Sequence, residues 1–227
     1  MAAKLFLLAA FVFSMFMMSL NYRKKKKKIV FLGDSITEQG ATAGGYITRI
    51  LQKLREDRIE EDYELTGAGV WGDKIYDLYL RLDDDVLAKG ADVVVVYIGI
   101  NDVWDKKAKG TGTEVGKFEE FYAAITEKLK AALIKVVLCT PTVIGENMAA
   151  LEEFSGELDL YSDVVRKLAS ENEFPVIDLR KAFVAYNQAN NVEDKKEGIL
   201  TTDGVHLNSK GNQLVADEMW TVLQHIK

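Results

Sequence analysis

From Ile29 onward, short apolar runs rich in β-branched residues alternate with longer amphipathic stretches. That alternation is the signature of repeated strand–helix units and leaves few folds open. Residues 29–32, 63–66, 92–98, 135–140 and 175–179 read as five strands. Helical spacing is expected over 46–57, 74–88, 114–132, 159–170 and 210–225. The run Val93-Val94-Val95-Val96 is apolar on both faces, as a central strand needs when a parallel sheet is covered on two sides. The expected architecture is therefore α/β, a three-layer α/β/α sandwich around a five-stranded parallel sheet. A length of 227 residues with 48% hydrophobic content suits one well-packed domain, placed at 29–227. Residues 105–113 carry three lysines and two glycines and read as a loop at one rim of a site.

The first 28 residues are a separate object. Lys4 precedes sixteen residues, 5–20, that are apolar except for Ser14 and Ser19, and residues 23–28 are an arginine and five lysines. A charged start before an apolar stretch reads as a signal peptide and makes the protein exported, although no clear small-residue cleavage site follows. The alternative is a short membrane anchor with a basic linker, which confines any membrane contact to residues 1–28. Seven of the 29 basic residues lie in this segment, so the body holds 22 against 35 acidic residues, a net of −13. Such a body disfavours nucleic acid, whose non-specific binding rests on Lys and Arg neutralising phosphates. The single cysteine, Cys139, lies within an apolar run and is read as a small core residue.

Ligands of open parallel sheets sit beyond the carboxyl ends of the strands. Three strands there run into polar turns: Gly33-Asp34-Ser35, Gly69-Val70-Trp71-Gly72-Asp73 and Gly99-Ile100-Asn101-Asp102. A fourth segment, Asp203-Gly204-Val205-His206, precedes the last helix and sets an acid and an imidazole three residues apart. Acyl transfer by a hydroxyl needs a base within hydrogen-bond reach and a carboxylate to orient that base. Ser35 as nucleophile, His206 as base and Asp203 as orienting acid meet that need. The developing oxyanion needs preorganised donors, for which the backbone N–H groups of Ser35 and Gly72 and the side-chain amide of Asn101 are candidates. His225, the other histidine, is read as a surface residue.

These four segments, IVFLGDSIT, GAGVWGD, GIND and DGVH, occur in the order of the conserved blocks of the SGNH/GDSL hydrolases, which the chain resembles from Ile29 to His206. The resemblance implies a flavodoxin-like sandwich, no cofactor, and hydrolysis of a carboxylic ester through Ser35, Gly72, Asn101, Asp203 and His206. It does not select one substrate, since lipases, lysophospholipases, thioesterases and carbohydrate acetylesterases share the superfamily. The chain departs from the common pattern at Gly67, where many members carry Asn, and at Trp71, where a small residue is common; both bear on the pocket wall. Ser35 is followed by Ile36-Thr37, so the G-x-S-x-G elbow of the larger α/β-hydrolases is absent.

The leading expectation is a small acyl ester, an acetyl group on carbohydrate foremost, with a lysophospholipid or thioester as the alternative substrate. A flavodoxin-like binding module is the rival from another class. Asp34 and Asp102 are expected to cap their own turns. Trp71 is the first candidate to bind substrate, with Trp104 and Tyr46 behind it. One cysteine and two distant histidines make no zinc set, and no glycine-rich nucleotide motif follows the first strand.

Overall fold

A computed structural model describes residues 25–226. The expected signal or anchor thus lies almost wholly outside the described residues. Five strands form one parallel sheet: β1 (Lys27–Gly33), β2 (Tyr63–Gly69), β3 (Val93–Tyr97), β4 (Lys135–Cys139) and β5 (Val176–Ile177), in the order β2-β1-β3-β4-β5. All five residues of central β3 are buried, as the unbroken valine run required. Edge strand β2 is only half covered, and β5 is reduced to two residues.

The helices are α1 (Ser35–Gly40), α2 (Tyr46–Glu56), α3 (Ile75–Leu82), α4 (Ile100–Ala108), α5 (Val115–Ala131), α6 (Met148–Asn172), α7 (Leu179–Asn190) and α8 (Ser209–Leu223). A π-helical turn, Asp83–Leu87, extends α3. Helices α2 and α8 pack together, while α3, α5 and α6 pack in a row, which gives the two outer layers. The sandwich expected from the sequence is the one observed.

Several boundaries differ. Strand β1 starts at Lys27, inside the expected linker, because the Lys28 N–H donates to Asp92 and the Lys27 ammonium to the Ile226 carbonyl. The basic run is also less free than a solvated linker: Lys25 pairs with Asp92 at 2.7 Å and Lys26 with Glu61 at 3.4 Å. Helix α6 begins eleven residues before the expected 159, capped by Asn147, whose side chain accepts from the Ala150 N–H. Its first turns carry exposed Met148, Glu152 and Glu153, so their apolar period is weak. The expected strand 175–179 stops at Ile177 because Asp178 caps α7 through the Lys181 N–H. Residues 105–108 are helix rather than rim loop, and the turn that follows folds back on α4, with the N–H groups of Thr111 and Thr113 donating to the carbonyls of Asp105 and Asp102.

Candidate active site

Strand β1 delivers Gly33-Asp34-Ser35 to the carboxyl edge of the sheet. Gly33 is forced by crowding: a Cβ there would lie 2.2 Å from the Thr37 hydroxyl and 2.4 Å from the Tyr97 carbonyl. Asp34 then caps α1, its carboxylate accepting the Ile36 N–H at 2.9 Å. Ser35 is thereby the first helical residue, with its N–H among those a helix start leaves unpaired.

Asp203, Val205 and His206 form a compact turn before α8. One Asp203 oxygen accepts the N–H groups of Val205 and His206 at 3.0 and 2.8 Å, and the other meets His206 Nδ1 at 2.7 Å. His206 Nε2 lies 3.0 Å from Ser35 Oγ. A continuous line of hydrogen bonds therefore joins Ser35, His206 and Asp203 across 171 residues of chain. Burial opposes ionisation of Asp203, but the hydrogen bonds from the His206 ring and from the two backbone N–H groups outweigh it and hold the carboxyl below its ordinary range. An ionised Asp203 fixes the ring with Nδ1–H towards it, leaving Nε2 free to accept the serine proton.

Gly72 and Asn101 come from the next two strand ends. Gly72 has φ +81°, a conformation that suits glycine, and a Cβ there would project into open space. The Asn101 amide donates to the Asp73 carbonyl at 3.0 Å, so one of its two donors ties α4 to the Gly72 turn. Arg81 braces the same turn. Its guanidinium donates to the Gly33 carbonyl at 2.7 Å and to the Asp73 carboxylate at 2.7 Å, and it also pairs with Asp85. Buried Lys74 reaches Asp105 at 3.3 Å and the Gly72 carbonyl at 3.5 Å.

Asp102 caps a different helix from the one expected. Its carboxylate accepts the Ile75 N–H at the start of α3, at 3.2 and 3.3 Å from its two oxygens. Burial pushes the carboxyls of both Asp34 and Asp102 up to about 7.

The aromatic candidates separate. Tyr46 is fully buried and donates its hydroxyl to Thr37, so it packs under the Ser35 turn and lines no pocket. Trp104 stacks on Phe154 at 5.7 Å between ring centroids. Trp71 is 63% exposed and stacks on His206 itself, with centroids 4.7 Å apart and planes inclined by 16°. Cys139 is buried and His225 exposed, as expected. Among the described residues no cluster of three or more metal-ligating side chains occurs.

Sequence reasoning missed Arg81 and Glu146. Glu146 is buried and accepts the N–H groups of Ile199, Leu200 and Thr201, just ahead of Asp203. Both lie away from the four motif segments, and only the fold brings them to the site's supports.

A flavodoxin-like sandwich with a Ser–His–Asp line at the carboxyl edge of its sheet is the architecture of a serine ester hydrolase. The chain belongs to the GDSL-like lipase/acylhydrolase family, whose model matches residues 31–214. It is 26% identical over 205 residues to an acetylxylan esterase of Geobacillus stearothermophilus, covering 84% of this chain and 90% of the relative. It is 24% identical to the isoamyl acetate-hydrolyzing esterase of Saccharomyces cerevisiae, covering 87% and 86% of the two chains. Among solved structures it superposes on the acetyl xylan esterase AlAXEase with a TM-score of 0.84 at 53% identity, covering 86% of this chain and 99% of that one.

Proposed function

We propose that this chain removes acetyl groups from carbohydrate through a covalent acyl-enzyme on Ser35. The observation that carries the reading is the line from Ser35 Oγ through His206 to Asp203, at 3.0 and 2.7 Å. In this scheme Ser35 Oγ attacks the ester carbonyl as its proton passes to His206 Nε2. The N–H groups of Ser35 and Gly72 and the second donor of Asn101 take the charge that develops on the carbonyl oxygen. As the bond to the sugar breaks, His206 returns the proton to the departing sugar oxygen, which leaves as a hydroxyl; water, activated by the same ring, then releases acetate and restores Ser35. None of these steps calls for a metal or an organic cofactor.

The acetyl-carbohydrate assignment is supported by similarity to two acetylxylan esterases, one of them 53% identical. Trp71, exposed beside Gly72, suits a wall against which an acyl or sugar group rests. Lys4 and the apolar residues 5–20 support export, which suits a polysaccharide substrate outside the cell.

The test is a side-by-side assay of acetylated xylooligosaccharides, p-nitrophenyl esters of increasing chain length, a lysophospholipid and an acyl thioester. Acetyl esters are expected to lead, and folded Ser35→Ala to lose turnover on all of them. Preference for the lysophospholipid or thioester would overturn the substrate class; retained turnover in Ser35→Ala would overturn the mechanism.

A further inference from the structure

Both ring nitrogens of His206 are taken by hydrogen bonds in the plane of the imidazole, Nδ1 by Asp203 and Nε2 by Ser35. Only the faces of the ring remain, and Trp71 lies nearly parallel to one of them. The imidazole side chain is only 14% exposed, although Trp71 itself is 63% exposed. Trp71 immediately precedes Gly72, so the turn that aims an oxyanion donor also lays an indole on the base. A residue that served only as a pocket wall has no need to match the plane of the catalytic ring to within 16°.

We propose that Trp71 is a positioning residue for the general base: its indole face fixes the plane of His206 and stabilises the imidazolium formed when Nε2 takes the Ser35 proton. The proposal rests on His206 being the base. The aromatic quadrupole presents its negative face to the ring, so the attraction strengthens as positive charge arrives and is larger in the transition state than in the resting enzyme. It complements Asp203, which acts in the plane. Loss of the indole then weakens the base while Ser35, His206 and the proposed oxyanion donors keep their own atoms.

The ionisable groups nearest the site are Asp203 on the same turn, Asp34 beside Ser35, Asp73 paired with Arg81, Lys74 paired with Asp105, and buried Asp102; Glu38 on α1, Tyr76 and Asp77 on α3, Lys106 and Lys107 on α4 and Lys210 on α8 lie on the same elements. Substitution at Trp71 leaves all of them in place. The stack can therefore be probed through the acid limb of the kcat/KM profile, measured with p-nitrophenyl acetate, whose acyl group is as small as the proposed one.

Trp71→Phe keeps an aromatic face and is expected to keep the limb where it is in the unaltered enzyme. Trp71→Leu keeps an apolar cover but no quadrupole; the limb should move down by about half a pH unit and kcat should fall several-fold, with KM changing less. Protonated imidazole quenches a stacked indole, so the emission lost in Trp71→Phe, read against the remaining Trp104 and Trp220, should titrate at the pH of the acid limb and stop titrating in His206→Ala. An unmoved limb in Trp71→Leu with a changed KM would overturn the proposal and make Trp71 a pocket wall alone. A Trp71 emission that does not follow His206 would overturn the stack itself. Failure of the general-base reading shows separately, as turnover retained in Ser35→Ala or His206→Ala.

Discussion

The carboxylate of Glu146 receives the backbone N–H of Leu200 at 2.6 Å, and the N–H groups of Ile199 and Thr201 at 2.8 and 3.1 Å complete its shell. One buried side chain thus fixes three consecutive peptide groups two residues before Asp203. The neighbouring Gly145 N–H donates to the Gly204 carbonyl at 2.8 Å, which clamps the same turn from a second point. Glu146→Ala leaves three donors without partners, those of Leu200 and Thr201 buried and that of Ile199 half-buried, at about 1–3 kcal/mol for each one that water does not reach. The expected outcome is a lower urea midpoint together with a loss of turnover of at least tenfold. Glu146→Gln, which sets an amide donor against an N–H, should fold better than the alanine variant yet remain slower than the unaltered enzyme. Urea denaturation beside p-nitrophenyl acetate turnover checks both; an alanine variant of full activity would show that the Asp203 turn holds itself.

Arg81 joins β1 to the Gly72 turn by bonding the Gly33 carbonyl and the Asp73 carboxylate with one planar group. Lysine offers a single point charge and cannot span both. Arg81→Lys should therefore lower kcat on p-nitrophenyl acetate by about tenfold while KM moves little, because the proposed oxyanion donors lose their setting and the pocket does not. Steady-state kinetics decide it, and equal changes in kcat and KM would assign Arg81 to substrate binding.

Asp34 and Asp102 supply a pH dependence of stability whose sign follows from burial. Their folded-state values stand near 7, against 3.8 for a free carboxyl. Below about pH 4 they are neutral whether the chain is folded or not, and their contribution to stability is fully present. As the pH climbs the unfolded chain ionises first, so that contribution fades and is lost once the folded carboxyls ionise near 7. Asp102→Asn keeps an acceptor for the Ile75 N–H and cannot ionise. Its urea midpoint, compared with that of the unaltered enzyme at pH 5 and pH 8, should gain at the higher pH. A midpoint difference that is the same at both values would remove Asp102 as a source of the slope.

The valine run of β3, the three polar strand ends and the segment from Asp203 to His206 carry most of the fold and of the candidate site in the sequence, because each is local. Val93–Val96 needs only its own pattern to declare a central strand, and Asp203 and His206 are three residues apart. What stayed illegible is relational. The position of Asp102 in sequence predicts a cap of its own turn, the usual role of such a residue, yet its partner is Ile75 on another helix. The first half of α6 hid behind a weak apolar period, since its exposed residues leave little stripe to detect. Trp71 read as a wall because a sequence can place an aromatic beside Gly72 but cannot aim it at His206.

The 171-residue separation of Ser35 from His206 has a consequence for synthesis. A chain emerging from the ribosome completes β1 early and exposes its serine while the imidazole has not yet been made. Every shorter intermediate that ends before the Asp203 turn carries the serine without the imidazole that lies 3.0 Å from its Oγ in the finished fold. The pair can meet only once the chain has been made through His206, just ahead of α8, the helix that packs beside α2, so the two ends of the domain are drawn to one edge of the sheet.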